Sequence, residues 1–131
     1  MPDRLLFVNP SIREHVPLGE LTVAACAEKW FGAQTALLDL NAMRSVLRPH
    51  EVDKEIVAAV QEESWDVIGI GGITTTYSSI KHALKIVRPL TDTLIILGGG
   101  GFTAQPQEWM QLLPQVDVGV FGEAVQTIGD V

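Results

Sequence analysis

Four consecutive glycines, Gly98 to Gly101, lead into Phe102-Thr103, and a second pair, Gly71-Gly72, leads into Ile73-Thr74-Thr75-Thr76. Each cluster follows a short apolar run of the kind that forms a buried strand. Glycine has no Cβ, so backbone N–H groups at such a strand end can closely approach a large flat or phosphorylated ligand. Threonine hydroxyls donate and accept without carrying charge, which suits amide and phosphate groups. Two other strand ends belong with these: Asn9-Pro10-Ser11 with the later Pro17-Leu18-Gly19, and Gly122-Glu123-Ala124. A tight turn alone would account for one Gly-Gly pair. Four glycines in a row beside a second pair exceed what turning requires, and they read as a ligand cradle.

Several chemistries lack their residues. The first turn carries no G-x-G-x-x-G and no P-loop lysine, so a nucleotide fingerprint fails where it must occur. No acidic pair ends the first strand and no aspartate ends the third, which argues against a phosphoacceptor receiver domain. No Ser-His-Asp or Cys-His arrangement falls on the strand ends. The three histidines are scattered. His50, before a helix, reads as solvated and His82 as lying on a helix surface, and only His15, in the first loop, is placed to reach a ligand. The one cysteine, Cys26, excludes an internal disulfide or a multi-cysteine metal cluster in this chain. Its alanine-rich helical setting reads as a small core residue.

The cradle needs a scaffold, and the hydrophobic pattern supplies one. Apolar runs at Leu5–Val8, Thr35–Asp39, Asp66–Ile70, Thr93–Leu97 and Val118–Phe121 alternate with helical periodicity near 18–31, 52–63, 78–87 and 107–113, and a further helix starts at Glu123. Continuously apolar strands mean that both sheet faces are covered. Five β-α repeats predict an α/β fold, a doubly wound, three-layer, flavodoxin-like (Rossmann-like) parallel sheet of order 2-1-3-4-5. In such a sheet, ligands bind beyond the carboxyl ends of the strands, where the glycines lie. The 131 residues suit one domain spanning 1–131, and 47% are apolar. A net charge of −7 without a basic stripe argues against a nucleic-acid partner. No apolar stretch is long enough to span a membrane, and no signal-peptide pattern opens the chain, so a cytoplasmic location is expected.

The strand ends, taken in order, resemble the N-terminal cobalamin (vitamin B12)-binding domain of radical S-adenosylmethionine enzymes. Phe7-Val8-Asn9-Pro10 with Pro17-Leu18-Gly19 opening an alanine-rich helix resembles that family's first strand and loop. Asp66-Val67-Ile68-Gly69-Ile70 with Thr74-Thr75-Thr76 resembles its third, Leu97-Gly98-Gly99 its fourth, and Gly122-Glu123 with Thr127 its fifth. The departures are Ser11, where the family often has a second proline, and Ala124-Val125, where it commonly repeats Gly-Glu.

This resemblance implies a corrinoid on the carboxyl edge of the sheet, with its nucleotide tail between the loops after strands 1, 3 and 4. Thr74, Thr75 and Gly98 to Gly101 would line the tail. Pro17, Leu18 and Gly19 would border the ring, while Gly122 and Glu123 would close the site. Asn9, Gly71, Gly72, Thr76 and Phe102 complete the expected set. Replacing Gly99 with leucine is expected to block the tail cleft while leaving the fold intact.

Related cobalamin domains place the histidine of an Asp-x-His-x-x-Gly loop beneath cobalt. Here Gly19 follows His15 one residue too late and Arg13 stands in place of the aspartate, so no protein histidine is expected on the metal. The resemblance further implies a downstream radical domain outside this chain, with a [4Fe-4S] cluster and S-adenosylmethionine, acting as a methyltransferase or a cyclase. The chain alone would then catalyse nothing. A flavodoxin-like nucleotide- or flavin-binding regulatory domain is the alternative from another class, and a structural domain without a small ligand is a third.

Overall fold

A computed structural model describes residues 4–10, 18–72 and 76–120, with the backbone alone described over 18–22. The strands are β1 (Arg4–Asn9), β2 (Gln34–Asp39), β3 (Val67–Gly71), β4 (Leu94–Gly98) and β5 (Val118–Gly119). They form one parallel sheet in the order β2-β1-β3-β4-β5, as the apolar pattern predicts. The helices are α1 (Leu18–Phe31), α2 (Leu40–Arg44), α3 (Pro49–Glu62), α4 (Tyr77–Val87), α5 (Gly100–Ala104) and α6 (Pro106–Leu112). The further helix expected at Glu123 lies outside the described residues.

Strand alternation sorts the apolar side chains onto two faces. Leu6, Val8, Ile68, Ile70, Ile95 and Leu97 pack with Val52, Ile56 and Val60 of α3, Ile80, Ala83, Leu84 and Val87 of α4, and Trp109 of α6. On the opposite face, Leu5, Phe7, Val67 and Ile96 pack with Ala27 of α1, joined by Val23 and Ala24. Right-handed crossovers explain the split. The β1-to-β2 connection runs one way along the sheet and the connections from β2 onward run the other way, so α1 falls on the face that α3, α4 and α6 do not cover. The chain therefore reverses direction between β1 and β3, and that is the topological switch point.

Three expectations are corrected. Strand β2 is not covered on both faces: it is an edge strand, and its Leu37 is 37% exposed. An apolar run cannot distinguish an edge from a centre, because that depends on strand order. Cys26 is only partly buried. The stretch after β4 is not an extended loop, because Gly100 and Gly101 already belong to α5.

The amino ends of β4 and β5 are held by Arg88. Its guanidinium donates to the carbonyls of Thr91, Thr93 and Gln115 and to Asp117 Oδ2 at 2.9 Å. The Ile95 N–H donates to the same Asp117 oxygen at 2.8 Å. That bond and the adjacent guanidinium hold the Asp117 carboxyl below its ordinary pKa, against a smaller opposing effect of burial. This clamp sits at the end of the sheet opposite the glycines.

Candidate functional site

At the carboxyl edge, β3 and β4 end in register, with Gly71 opposite Gly98. The two chains then touch. Gly99 has φ +94° and ψ 177°, a conformation essentially reserved for glycine, and a Cβ there would stand 2.8 Å from both N and O of Gly72. The Gly101 N–H donates to the Gly72 carbonyl at 2.9 Å. A Cβ on Gly71 would come within 2.7 Å of the Gly98 carbonyl oxygen, and one on Gly72 would strike the Thr76 hydroxyl. Close approach of two backbones thus demands Gly71 and Gly99, and the Thr76 side chain demands Gly72, before any ligand is considered. It also corrects the expected effect of Gly99→Leu: that change would pry the two loops apart rather than selectively block a cleft.

Gly98 differs, because a Cβ there would meet only Val120, at an ordinary 3.8 Å. Gly69 matters too, and it was not among the residues singled out in the sequence. Strand alternation puts it on the α1 face with Val67, where a Cβ would stand 3.1 Å from the Phe7 ring. Gly69, Gly71 and Gly98 are all partly exposed, whereas Ile68, Ile70 and Leu97 on the other face are buried. The α1 side of β3 and β4 therefore carries the Phe7 ring over Gly69, then partly exposed glycine backbone at Gly71 and Gly98 beside the switch point. The signal was legible: glycines at alternate strand positions, Gly69 and Gly71, lie on one face.

Three of the expected residues turn inward. Asn9 is 3% exposed, and its Nδ2 donates to Asp39 Oδ1 at 3.0 Å. Thr76 is the N-cap residue of α4, without a side-chain capping bond, and is 4% exposed, its hydroxyl filling the space a Cβ on Gly72 would take. Phe102 is 4% exposed and belongs to the core, with its ring lying on Gly119 of β5 where a Cβ would stand 2.2 Å from its Cζ. Gly99 and Gly100, by contrast, are exposed at the edge. Leu18 and Gly19 form the first turn of α1. Pro17, Thr74, Thr75, Gly122, Glu123 and His15 lie outside the described residues.

Asp39 is a second residue the sequence reading passed over. Its Oδ1 accepts from the Ala42 N–H at 3.2 Å, so the carboxylate that caps α2 also holds Asn9. Arg44, at the end of α2, donates to the Pro10 carbonyl at 3.0 Å. Burial pulls the Arg44 guanidinium below its ordinary pKa, and Asp53 partly offsets this. Among the described residues no group of three or more histidine, cysteine, aspartate or glutamate side chains is placed to hold a metal ion. Nor is any helix there long and apolar enough to cross a membrane.

The model of the B12 binding domain family matches residues 8–131. The chain belongs to the B12-binding domain family. No curated protein sequence matches it. Among solved structures it is similar to the radical S-adenosylmethionine methyltransferase TsrM from Kitasatospora setae with cobalamin and a [4Fe-4S] cluster bound. That likeness has 20% identity and a TM-score of 0.86, and covers 99% of this chain and 26% of that one. The same enzyme with tryptophan substrate and a S-adenosylmethionine analogue gives 19% identity and a TM-score of 0.85, over 97% of this chain and 24% of that one. This B12-binding domain thus spans about a quarter of the length of the methyltransferase chains it resembles. Its residues suit the cofactor the family name implies. Exposed or partly exposed glycine backbone at Gly71, Gly98, Gly99 and Gly100 lets a bulky group approach the ends of β3 and β4 closely.

Proposed function

We propose that this domain holds cobalamin at the carboxyl edge of its sheet, as the corrinoid module of a radical S-adenosylmethionine methyltransferase or a related enzyme. The observation that carries the proposal is the run of glycines ending β3 and β4, where Gly71 and Gly98 are partly exposed, Gly99 and Gly100 are exposed, and a Cβ on Gly98 would meet only ordinary contacts.

The chain's own part is binding and orientation. Thr74, Thr75 and Gly98 to Gly101 would line the nucleotide tail, with Gly71 beside them. Pro17, Leu18 and Gly19 would border the ring, and Gly122 and Glu123 would close the remaining side. Asn9, Thr76 and Phe102 serve from beneath by fixing the strand ends and loops that carry these groups. No protein histidine is assigned to the lower face of cobalt, since the carboxylate partner that would tune His15 is missing from its loop. Bound there, the corrinoid supplies methyl-transfer or related radical chemistry.

The cluster and S-adenosylmethionine are assigned to a separate downstream domain, as the single cysteine cannot ligate a cluster. A cytoplasmic location and the absence of a nucleic-acid partner belong to the same proposal. The test is to add hydroxocobalamin to the purified chain, desalt it, and record the visible spectrum. Stoichiometric retained corrinoid supports the proposal. Loss of all colour, with flavin or nucleotide retained instead, overturns it in favour of a flavodoxin-like module.

A further inference from the structure

The two residues at the exit of β1 are both tied to the short helix that follows β2. Asn9, the last residue of β1, is buried and gives its Nδ2 to Asp39 at 3.0 Å. Pro10, the next residue, is also buried, and its carbonyl accepts from Arg44 Nη1 at 3.0 Å. Asp39 and Arg44 are the cap and the last residue of α2, so one five-residue helix supplies both holds. Leu40, fully buried, anchors that helix to the core. A helix this short is not stable by itself and persists through such docking.

Proline has no N–H, so the Pro10 carbonyl is that residue's sole backbone hydrogen-bonding group. It lies at the switch point, where the chain leaves β1 toward Pro17-Leu18-Gly19. A neutral acceptor there would be satisfied by water or by any donor. A partly buried guanidinium, kept in place despite the cost of desolvation, does more, because it fixes the carbonyl in one orientation.

We infer that Arg44 and Asp39 are positioning residues for corrinoid binding: through Pro10 and Asn9 they fix the carboxyl end of β1, which runs beside the glycine-bearing end of β3 at the edge assigned to the cofactor. This rests on the cobalamin reading above and adds residues of β2 and α2 to the binding apparatus.

The test compares Arg44→Met, which keeps an apolar stem but no donor, with Arg44→Lys, which keeps one donor and the charge. The probe is hydroxocobalamin, titrated into each folded variant at low temperature, with folding checked by circular dichroism. Arg44→Met is expected to bind roughly tenfold or more weakly than the unaltered chain, the scale of one lost charge-assisted hydrogen bond. Its bound visible spectrum should also differ, and Arg44→Lys should recover much of both. A residue that merely supports the fold would lower the melting temperature without altering affinity or spectrum in the folded state. If Arg44→Met does not fold, Asp39→Ala, which removes the acceptor for Asn9 Nδ2, is compared with Asp39→Asn, which keeps it, on the other hold. Binding within twofold of the unaltered chain, with an unchanged spectrum, overturns the inference and leaves the cobalamin reading standing. Failure of the unaltered chain to retain hydroxocobalamin overturns both.

Discussion

Gly98 and Gly99 are adjacent, chemically identical and both at the end of β4, yet adding one methyl group to each should have opposite consequences. At Gly99 the backbone sits at φ +94°, ψ 177°, where a side chain costs about 1–3 kcal/mol. The new Cβ would also stand 2.8 Å from backbone N and O of Gly72, and backbone cannot swing aside as a flexible side chain can. Relieving such an overlap costs typically about 1–3 kcal/mol. Any retreat stretches the Gly101 N–H bond to the Gly72 carbonyl. Gly99→Ala should therefore lose about 2–5 kcal/mol.

At Gly98 the added carbon finds only ordinary contact with Val120 at 3.8 Å. Gly98→Ala should lie within about 1 kcal/mol of the unaltered chain, helped by the smaller entropy of its unfolded state. Urea unfolding followed by circular dichroism measures both. In thermal melts the difference corresponds to roughly 10 °C or more for a domain of this size. Equal stabilities for the two alanine variants would refute the claim that the β3 and β4 loops are in backbone contact.

Two other perturbations probe the core and the clamp. Gly119→Ala drives a Cβ to 2.2 Å from the Phe102 ring and should cost about 1–3 kcal/mol, but less in a Phe102→Leu background. Additive losses in urea titrations would show that the ring does not rest on β5. The lowered Asp117 pKa gives a signed pH dependence. A depressed carboxyl pKa stabilises above the unfolded value near 3.8 and ceases to do so as pH falls through the folded value. The melting-temperature advantage over Asp117→Asn should then be constant from about pH 5 to 7 and shrink below about pH 4. A difference that persists unchanged into strong acid would contradict the Ile95 and Arg88 hydrogen bonds as its source.

The fold was legible in the sequence because it rests on local periodicities. Apolar runs of strand length alternated with 3.6-residue patterns such as Val52, Ile56 and Val60, and the right-handed crossover left few ways to assemble them. The glycine-rich strand ends were equally legible, since a missing side chain needs no partner to be noticed. The short helix α2 was not, because five residues carry too little periodicity to register.

What the glycines are for was decided in three dimensions. Their clustering implied a cradle, but only the pairing of β3 with β4 shows that Gly71 and Gly99 are held against facing backbone, Gly72 against Thr76 and Gly69 against the Phe7 ring, while Gly98 has only ordinary contacts on the α1 side. Likewise Asn9, Thr76 and Phe102 stood at strand ends in the sequence and turned inward in the fold, toward Asp39, Gly72 and Gly119. Residue type fixes what a position can tolerate, and strand order fixes what lies across from it. The carboxyl edge follows from the first, and the division of its glycines between close packing and exposed backbone follows from the second.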